Sequence, residues 1–324
     1  MIGVNFFIIN FEVSDLKISV IDVGGTFIKY ACMNEKAEII SRGIVETPKS
    51  GREEFINRLA KIFESMKDAE GIAISLPGII DADRGYCVTS GALKFNDNFA
   101  IVEALQKKCS VNVSIENDAR CAAIAEMTLG NLKDVNDGFV MVFGTGIGSA
   151  IIKNKKIHRG YHFSAGEISF LITNQDGSIF DEDMFGFKCS TRGLCDMYDE
   201  EKFLTRLSDF YGEEDIFPPE LVDGRLVFDQ VHSGDKFAVE CFDRFTRRIA
   251  IQIINIQLIL DPERIAIGGG ISAQKIFIDK INEHLKKIYD KSKYDLPRAE
   301  VVACKFLNDA NLIGALQNYL EKFS

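Results

Sequence analysis

The chain has 324 residues, which corresponds to about two domains of ordinary size. An apolar fraction of 46% and a charged fraction of 27% are typical of globular proteins and exclude a disordered or fibrous chain. Lysine and arginine total 38 and aspartate and glutamate 48, so the net charge is −10 at pH 7. Nucleic acid is therefore not an expected partner, because neutralising its phosphates requires clustered basic residues. The negative charge does not exclude a single nucleotide as a ligand, because Mg²⁺ and backbone amides can hold its phosphates locally.

Eight cysteines are scattered singly through the sequence, a spacing that does not resemble a disulfide framework. We therefore expect a reducing, cytoplasmic location. The apolar segment 1–11 lacks the basic start and cleavage site of a signal peptide, which favours an additional edge strand or a misassigned start codon. Segment 249–260 is too short and too polar to cross a bilayer, which requires about 20 apolar residues. No membrane association is expected.

Strands and helices alternate along the sequence, which is typical of an α/β protein. Short β-branched runs that end in glycine or proline predict strands, and apolar residues at helical spacing predict helices. The predicted strands are 17–23, 26–31, 37–45, 71–76, 111–115, 138–143, 150–153, 264–267 and 301–305, and the predicted helices are 53–67, 118–129, 244–260 and 311–323. A more helical and more acidic stretch is expected at about 180–235, with a loop at Pro218-Pro219.

Three glycine-rich turns follow predicted strands. Glycine lets backbone N–H groups approach an anion closely, the hydroxyl of Thr26 can donate to that anion, and Asp22 can hold Mg²⁺ through water. The candidate phosphate- and nucleotide-binding residues are Asp22, Gly24, Gly25 and Thr26 in the first turn, Gly144, Thr145, Gly146 and Gly148 in the second, and Gly268, Gly269 and Gly270 in the third. The alternative for the first turn is a plain hairpin. Because the first two turns each join two strands, they also suggest two similar halves that face each other across one cleft.

The pair Asn117-Asp118 lies between a predicted strand and a predicted helix. One interpretation is structural, since Asn117 can cap the helix. The other is catalytic: Asp118 is a general base that takes a proton from a hydroxyl group attacking a phosphoryl group. A second pair, Asn308-Asp309, is predicted to cap the last helix.

Metal and nucleophile signatures are weak in this sequence. Cys189 and Cys195 have His158 and His162 upstream, but no C-x-x-C or C-x-C pair completes the four close ligands of a zinc site. No Ser/His/Asp or Cys/His nucleophile arrangement is evident, and the chain has four histidines from which to build one.

Together these segments resemble the ROK family of repressors and sugar kinases, within the superfamily of actin-like and hexokinase-like ATPases. The resemblance extends from Ile18 to about Leu316. The matching motifs are Ile21-Asp22-Val23-Gly24-Gly25-Thr26 with Lys29 and Gly144-Thr145-Gly146-Ile147-Gly148 for phosphate, Ile265-Ala266-Ile267-Gly268-Gly269-Gly270-Ile271 for adenosine, Ser75-Leu76-Pro77-Gly78 and Ala165-Gly166-Glu167-Ile168 for the sugar, Asn117-Asp118-Ala119 for catalysis, and Asn308-Asp309-Ala310 with Ile313-Gly314-Ala315 as the C-terminal signature.

The resemblance implies an α/β, two-lobed, actin-like and hexokinase-like fold of the ribonuclease-H-like type around a cleft. The small lobe would contain residues 1–116 plus about 301–324, and the large lobe residues 117–300. The implied activity is that of an ATP-dependent sugar kinase that uses Mg²⁺ with ATP and phosphorylates a hexose or hexoside at the 6-hydroxyl. The implied roles are Asp118 as general base, Gly78, Asn117 and Glu167 as sugar ligands, Asp22 as the residue that holds Mg²⁺ through water, and Lys29 with the glycine turns as nucleotide ligands. A homodimer is expected.

Two departures from the family pattern bear on zinc and on the sugar. Members with structural zinc have a His three residues after the sugar-binding Glu and a C-x-C-G-x-x-G-C cluster. Here Phe170 takes the place of that His and residues 189–195 form C-S-T-R-G-L-C, which resembles the zinc-free branch that includes β-glucoside kinases. We expect no zinc. Phe170 either lines the sugar pocket, where it could stack on an aglycone, or packs in the core, and we expect cellobiose or another glucoside to be phosphorylated at least as well as glucose.

Two alternatives accompany this interpretation. One is a sugar-sensing ROK regulator without turnover, which the −10 charge and the retained Asp118 disfavour. The chain also reaches the first phosphate motif after a short leader, so the helix-turn-helix of family repressors is not expected. The other alternative is an N-acylhexosamine kinase acting on N-acetylmannosamine, because a substituent on the neighbouring carbon could occupy the same space.

Overall fold

The computed structural model describes residues 16–174, 183–209, 222–298 and 300–323; for 201–209 it describes the helix but not the side chains. The predicted edge strand within 1–15 and the predicted loop at Pro218-Pro219 lie outside the described residues. The described chain forms two five-stranded sheets and a two-stranded ribbon. No helix in this part of the chain is both long enough and apolar enough to cross a bilayer.

The first sheet combines an antiparallel meander with parallel strands. Its order is β3-β2-β1-β4-β7, in which β1 pairs antiparallel with β2 and parallel with β4. These strands are β1 (Lys17–Val23), β2 (Phe27–Asn34), β3 (Ile39–Glu46), β4 (Gly71–Leu76) and β7 (Asn112–Asn117), and the ribbon contains β5 (Ile80–Asp81) and β6 (Tyr86–Cys87). Every residue of β4 is buried, as expected for a central parallel strand covered on both faces.

Helices cover both faces of the first sheet, since successive side chains of a strand point to opposite faces. Ile21 and Val23 of β1 pack with one pair of helices, whereas Ile18 and Val20 pack with another pair. The first pair is α1 (Arg52–Ser65) and α2 (Ile101–Cys109), and the second is α3 (Asp118–Thr128) and α9 (Ala310–Phe323).

The second sheet has the order β10-β9-β8-β11-β12. Its strands are β8 (Gly138–Phe143), β9 (Ile147–Lys153), β10 (Lys156–His158), β11 (Arg264–Gly268) and β12 (Glu300–Ala303). The helices that follow β10 and surround this sheet are α4 (Phe185–Cys189), α5 (Thr191–Asp209), α6 (Gly224–Ser233), α7 (Lys236–Leu260) and α8 (Lys275–Lys291). The core between them combines isoleucines with aromatic residues, among them Phe143, Phe245 and Phe277.

The two sheets repeat one plan. In each, a meander of three antiparallel strands is followed by two parallel strands, and the glycine turn joins the first strand of the meander to the second. The similarity of the two halves predicted from the turns at 22–26 and 144–148 is therefore confirmed.

Several predicted boundaries are wrong. The second glycine turn is shorter than predicted, because Ile147 and Gly148 already pair with Phe143 and Val142 in β9. Helix α7 begins at Lys236, eight positions before the predicted start, because Asp235 caps it by accepting the N–H of Ala238. Helices α2 and α8 were not among the predicted elements, although α8 has the apolar spacing of a surface helix.

We propose that the chain divides into two lobes near residue 116 and that its last segment returns to the first lobe. Helix α9 supports this division, since it packs on β1, β4 and β7. Strand β12 pairs with β11 in the second sheet, so the proposed return begins after Ala303 rather than at residue 301. Helix α3 contacts both sheets and lies between the proposed lobes.

Candidate active site

Two cavities of the described chain meet at the turn between β8 and β9. Cavity A has a volume of about 440 Å³, and cavity B has a volume of about 1040 Å³. Gly144 and Thr145 line both, so the two cavities adjoin at this turn. The predicted site residues that line cavity A are Gly78, Asn117, Asp118, Gly144, Thr145, Gly146, Gly148 and Glu167, and those that line cavity B are Gly144, Thr145 and Gly270.

Asn117 and Asp118 lie where strand β7 ends and helix α3 begins. Asn117 Oδ1 accepts the N–H of Arg120 at 3.1 Å, so Asn117 caps the helix, as the structural interpretation predicted. Its Nδ2 donates to the carbonyl of Gly78 and to Asp118 Oδ1, both at 3.0 Å. Asp118 Oδ1 also accepts the N–H of Ala119 at 2.8 Å. One carboxylate oxygen is thus fixed, while Oδ2 has no hydrogen bond to any described residue.

Three carboxylates lie near one another at cavity A. Burial, as the main cause, and the charges of Asp22 and Glu167 together raise the pKa of Asp118 to about 6. Burial also raises the pKa of Asp22 and of Glu167, the latter against the opposing charge of Arg120. Among the described residues, no basic side chain lies within 4 Å of these three carboxylates. Asp118 is therefore able to take up a proton near neutral pH.

Asp22 is held by two side chains that are distant in sequence. Its Oδ1 accepts hydrogen bonds from Ser75 Oγ at 2.9 Å and from Asn311 Nδ2 at 3.1 Å. Asn311 lines cavity A, which places this carboxylate beside that cavity. Lys29 stands opposite Asp22 in the register of β1 and β2, and its charge favours the ionised carboxylate. An oriented carboxylate with its second oxygen unbound by described residues fits a hydrated Mg²⁺, which prefers oxygen ligands.

Two predicted glycines are required by their backbone and by close packing. Gly78 has a φ of 100°, and a Cβ atom there would lie 2.1 Å from the carbonyl oxygen of Thr89. Gly269 has a φ of 91°, and its Cβ would lie 2.0 Å from the carbonyl oxygen of Phe143. Gly269 is therefore explained by the packing of β11 against β8, whereas Gly78 also presents its carbonyl to the side chain of Asn117.

The remaining predicted glycines lie at three places. Gly24, Gly25 and Thr26 form the turn between β1 and β2, where the Gly24 N–H donates to the Phe27 carbonyl at 3.0 Å. Gly148 lies in β9, and a Cβ there would be 2.9 Å from that of Ala119, so glycine lets α3 start close to this strand. Gly268 ends β11. Neither cavity is lined by Gly268, Gly269 or the first turn among the described residues.

Phe170 follows Glu167 by three residues and lines cavity A. It ends a short helical turn, Ile168–Phe170, and its side chain is 64% exposed. Of the two expectations for this residue, core packing is wrong, because the side chain is exposed and lines cavity A. That cavity A is the sugar pocket stays a prediction. An exposed aromatic ring at a cavity wall offers a flat apolar surface to a second ring.

Cys189 and Cys195 lie on either side of the start of α5. Cys189 is fully buried, and Cys195 lines cavity B. No group of three or more His, Cys, Asp and Glu side chains that could hold a metal ion occurs in the part of the chain that the structure describes. Burial raises the pKa of both thiols, to about 12 and about 11, so they are protonated near neutral pH. That the protein holds no structural zinc remains a prediction.

Two residues near the site, Glu116 and Asn311, were given no role from the sequence, and Ser75 was assigned only to the sugar motif. Ser75 and Asn311 hold Asp22, and buried Glu116 contacts the backbone of Asn117. Asn308, predicted as part of a helix cap, lines cavity B, and the described chain shows no side-chain cap bond from it. Asp309, the other residue of the predicted cap, forms an ion pair with Arg42. The available signal for Glu116 and Asn311 was a polar residue directly beside a sequence motif.

The family model described as the ROK family matches residues 18–321. The chain belongs to the ROK family. A ROK family protein from Streptococcus pneumoniae, solved in complex with sucrose, has a TM-score of 0.81 and 28% identity to this chain, covering 95% of this chain and 99% of that one. The predicted hexokinase-like and actin-like fold is confirmed.

Two ROK relatives with assigned activities are similar to the chain over most of its length. A β-glucoside kinase of Listeria monocytogenes is 28% identical over 307 residues, which cover 95% of this chain and 98% of the relative. An N-acetyl-D-glucosamine kinase of Aliivibrio salmonicida is 28% identical over 274 residues, which cover 82% of this chain and 88% of the relative. Both names denote sugar kinases that act on different sugars.

Proposed function

We propose that this ROK protein is an ATP-dependent sugar kinase that transfers the γ-phosphoryl group of ATP to the 6-hydroxyl of a hexose or hexoside. The observation that carries the proposal is the position of Asp118. Its carboxylate, with a pKa raised to about 6, lines the cavity that meets cavity B at the shared glycine turn. In this proposal Asp118 is a base in the cavity for the sugar, next to a second cavity for the nucleotide. The family and the named relatives support the reaction class.

In this proposal the sugar occupies cavity A and the nucleotide occupies cavity B. Asn117, Gly78 and Glu167 contact the sugar hydroxyls. Backbone N–H groups of the second glycine turn, together with Thr145, hold the phosphates, and Gly270 of the third turn lies under the adenosine. The first turn, Thr26 and Lys29 line neither cavity of the described chain, so their contact with the phosphates rests on the family motif alone. Mg²⁺ bound with ATP would be held through water by Asp22, and it neutralises charge on the phosphates.

The chemistry assigned to the chain is proton acceptance and orientation. The carboxylate of Asp118 takes the proton of the 6-hydroxyl while the hydroxyl oxygen bonds to the γ-phosphorus and the bond to ADP breaks. Asn117 orients the base, because its Nδ2 holds Asp118 Oδ1 at 3.0 Å. The cap that Asn117 provides to α3 fixes both side chains at the cavity.

A β-glucoside or glucose disaccharide is the proposed substrate. Phe170 presents an exposed ring to cavity A, where a ring beyond the anomeric carbon could stack on it. An apolar wall discriminates weakly against a substituted anomeric oxygen, whereas a buried hydrogen-bonding group would reject it strongly. The likeness to a β-glucoside kinase over 95% of the chain supports the same substrate class.

An N-acylhexosamine is the second candidate, since an N-acetyl-D-glucosamine kinase is also 28% identical to this chain. An ADP-release assay with glucose, cellobiose and N-acetylmannosamine distinguishes the candidates through kcat/KM. We expect cellobiose to match or exceed glucose, and a strong preference for N-acetylmannosamine would favour the second candidate. Absence of sugar-dependent ADP release would favour a regulator without turnover.

The contribution of Phe170 is tested by Phe170→Ala. The variant should lose kcat/KM for cellobiose by about 5- to 10-fold while changing little with glucose, because the stacking surface serves the second ring alone. Phe187→Ala is a matched control, since Phe187 is an exposed phenylalanine that lines a different cavity. Equal losses for both sugars in the Phe170 variant would remove the argument for glucosides.

We further propose a cytoplasmic homodimer that uses small molecules rather than nucleic acid as partners. The eight cysteines are all free thiols in the structure, which suits a reducing compartment. Helix α7 carries exposed Ile251, Leu258 and Ile259 on one side, a surface that a second copy could cover. The acidic net charge of −10 supports the exclusion of nucleic acid.

A further inference from the structure

Glu116 is a fully buried carboxylate that directly precedes Asn117 and Asp118. Its Oε1 accepts the N–H of Asn117 at 2.8 Å and lies 3.6 Å from Nη1 of Arg120. Its Oε2 accepts hydrogen bonds from Nε and Nη2 of Arg159 at 3.0 and 2.6 Å. The two oxygens therefore serve two different parts of the molecule: one contacts the start of α3, and the other contacts a residue that follows β10 in the second sheet.

Both arginines lead to the segment 159–167, which we call the sugar loop because it ends at Glu167. Arg159 starts this loop, and its carbonyl accepts the N–H of Ala165 at 3.1 Å. Arg120 is 2% exposed, and its Nη2 donates to the carbonyl of Phe163 at 2.5 Å. The positive charge of Arg120 also favours the ionised form of Glu167. Glu116 is thus connected to the start of the sugar loop through Arg159 and to its middle, at Phe163, through Arg120.

We propose that Glu116 is a positioning residue that couples the placement of the Asp118 base to the geometry of the sugar loop. The inference rests on the proposed function, which assigns sugar contact to Glu167 and proton acceptance to Asp118. The ion pair of Glu116 with Arg159 joins the two sheets, and the same carboxylate accepts the N–H of Asn117, the residue before the base. The positions of Asp118 and of the sugar loop are therefore fixed relative to each other. The position of Asp118 and the geometry of the sugar loop then depend on the same carboxylate.

Coupling of this kind differs from a contribution to stability alone. Glu116 and its arginines form a buried ion pair, so removal of either partner leaves an unpaired buried charge and destabilises the fold even if the cluster has no other role. A purely structural cluster would leave the affinity for sugar and the affinity for ATP equally unchanged in the molecules that remain folded. Coupling through the sugar loop changes the affinity for the sugar but not the affinity for ATP, because the loop does not line cavity B.

The principal variant is Glu116→Gln, which keeps an oxygen for the Asn117 N–H but removes the charge that Arg159 contacts. We expect the KM for the sugar to rise by about 10- to 100-fold and kcat to fall, since small displacements of a reacting geometry are costly. The KM for ATP should stay within about twofold of that of the wild type. Isothermal titration with the sugar alone, without ATP, should show the same loss of affinity.

A double-mutant cycle with Arg159→Met tests the pairing itself. If Glu116 acts through Arg159, the loss in kcat/KM for the sugar in the double variant is no larger than the greater of the two single losses. Additive losses overturn the proposal. Arg264→Met is the matched control, because Arg264 is also an arginine in ion pairs, with Asp134 and Glu300 at 2.7 Å each, but lies on β11, away from the loop. It should leave the KM for the sugar unchanged.

A conservative variant covers the case in which Glu116→Gln does not fold. Arg159→Lys keeps the positive charge on a partly exposed side chain but loses the two-nitrogen contact, so it should fold and show an intermediate rise in the sugar KM. An unchanged sugar KM and sugar affinity in this variant and in Arg159→Met would overturn the proposal. A wild-type protein that releases no ADP with any sugar would instead contradict the proposed function, a result that the wild-type assay gives by itself.

Discussion

Neighbouring side chains divide two tasks at the start of α3. Asn117 caps the helix, and Asp118 keeps one carboxylate oxygen free of bonds to described residues. Asp118→Asn should therefore lower kcat by about 10²- to 10⁴-fold, because the amide retains an acceptor for the Ala119 N–H but cannot take a proton. Steady-state ADP release measures the loss, with the exposed Asp134→Asn as control. Turnover within a few-fold of wild type would show that Asp118 is not the base.

The same substitution has a second expected effect, on stability. Because the pKa of Asp118 is raised to about 6 in the folded state, ionisation of the carboxylate costs folding free energy as the pH rises through that value. The Asn117 cap remains in the variant. Asp118→Asn should thus melt at the same or a higher temperature than the wild type near neutral pH, which thermal denaturation tests.

The acid limb of the pH profile follows from the same pKa. The base works when deprotonated, so kcat/KM should fall about tenfold per pH unit below about pH 6 and be level above it. Glu167→Gln removes one of the charges that raise this pKa, so the limb should move to lower pH, whatever the loss in absolute rate. Profiles measured for both proteins with saturating Mg²⁺ and ATP provide the test. A limb at the same pH in both would contradict the assigned neighbours.

Helices α3 and α9 cross at a point where no side chain fits. A Cβ atom on Gly314 would lie 1.7 Å from the carbonyl oxygen of Cys121, so the two helices can approach only because residue 314 is glycine. Gly314→Ala should lower the free energy of unfolding by about 1–3 kcal/mol, the usual cost of forcing volume into a packed interface. Urea denaturation measures it. Gly146→Ala is the control, since a Cβ there meets no atom within 4 Å and should leave stability unchanged.

The segment that contains Cys189 and Cys195 should hold no zinc. Phe170 cannot ligate a metal, and two thiols alone leave half of a tetrahedral site unfilled. Elemental analysis of the purified protein should find zinc far below one atom per chain, and activity should survive prolonged treatment with a chelator followed by restoration of Mg²⁺. About one zinc per chain would contradict the departure from the zinc-bearing branch.

Elements with clear signals at both ends could be predicted from the sequence. Strands β4 and β8 match their predicted bounds, because each is a buried apolar run preceded and followed by residues that break regular structure. The second glycine turn could not be placed correctly. Gly148 looks like a turn residue in the sequence but lies in a strand. Glycine is needed there because Ala119 lies close by, and that contact exists only after folding.

The candidate site shows a similar division. Asp118, Asn117 and Glu167 follow from motifs that are continuous in sequence, and the structure brings all three to cavity A. The bond between Asn311 and Asp22 joins residues 289 positions apart and depends on the return of α9 to the first sheet. Such a pairing has no local signal, because neither residue type nor spacing specifies which distant side chains will meet.

At the scale of the whole molecule, the exposed side of α7 suggests that the protein associates with itself. Ile251, Leu258 and Ile259 recur at helical spacing and are 41%, 53% and 79% exposed. Light scattering after size exclusion should give twice the chain mass of 36.2 kDa. Leu258→Asp combined with Ile259→Asp should shift the protein to the mass of one chain, and a wild-type mass of one chain would contradict the proposed homodimer.

Helix α9 covers a face of the first sheet that is synthesised long before it. Ile18, Val20 and Ala73 share their core with Leu312 and other residues of this helix. During translation, the part of this apolar face that α3 does not cover therefore stays exposed while the strands of the second sheet emerge from the ribosome. Exposed surface of this kind attracts chaperones and favours aggregation. We expect the second sheet and its helices to fold first on the ribosome. The first sheet then completes its fold when residues 310–323 dock on it.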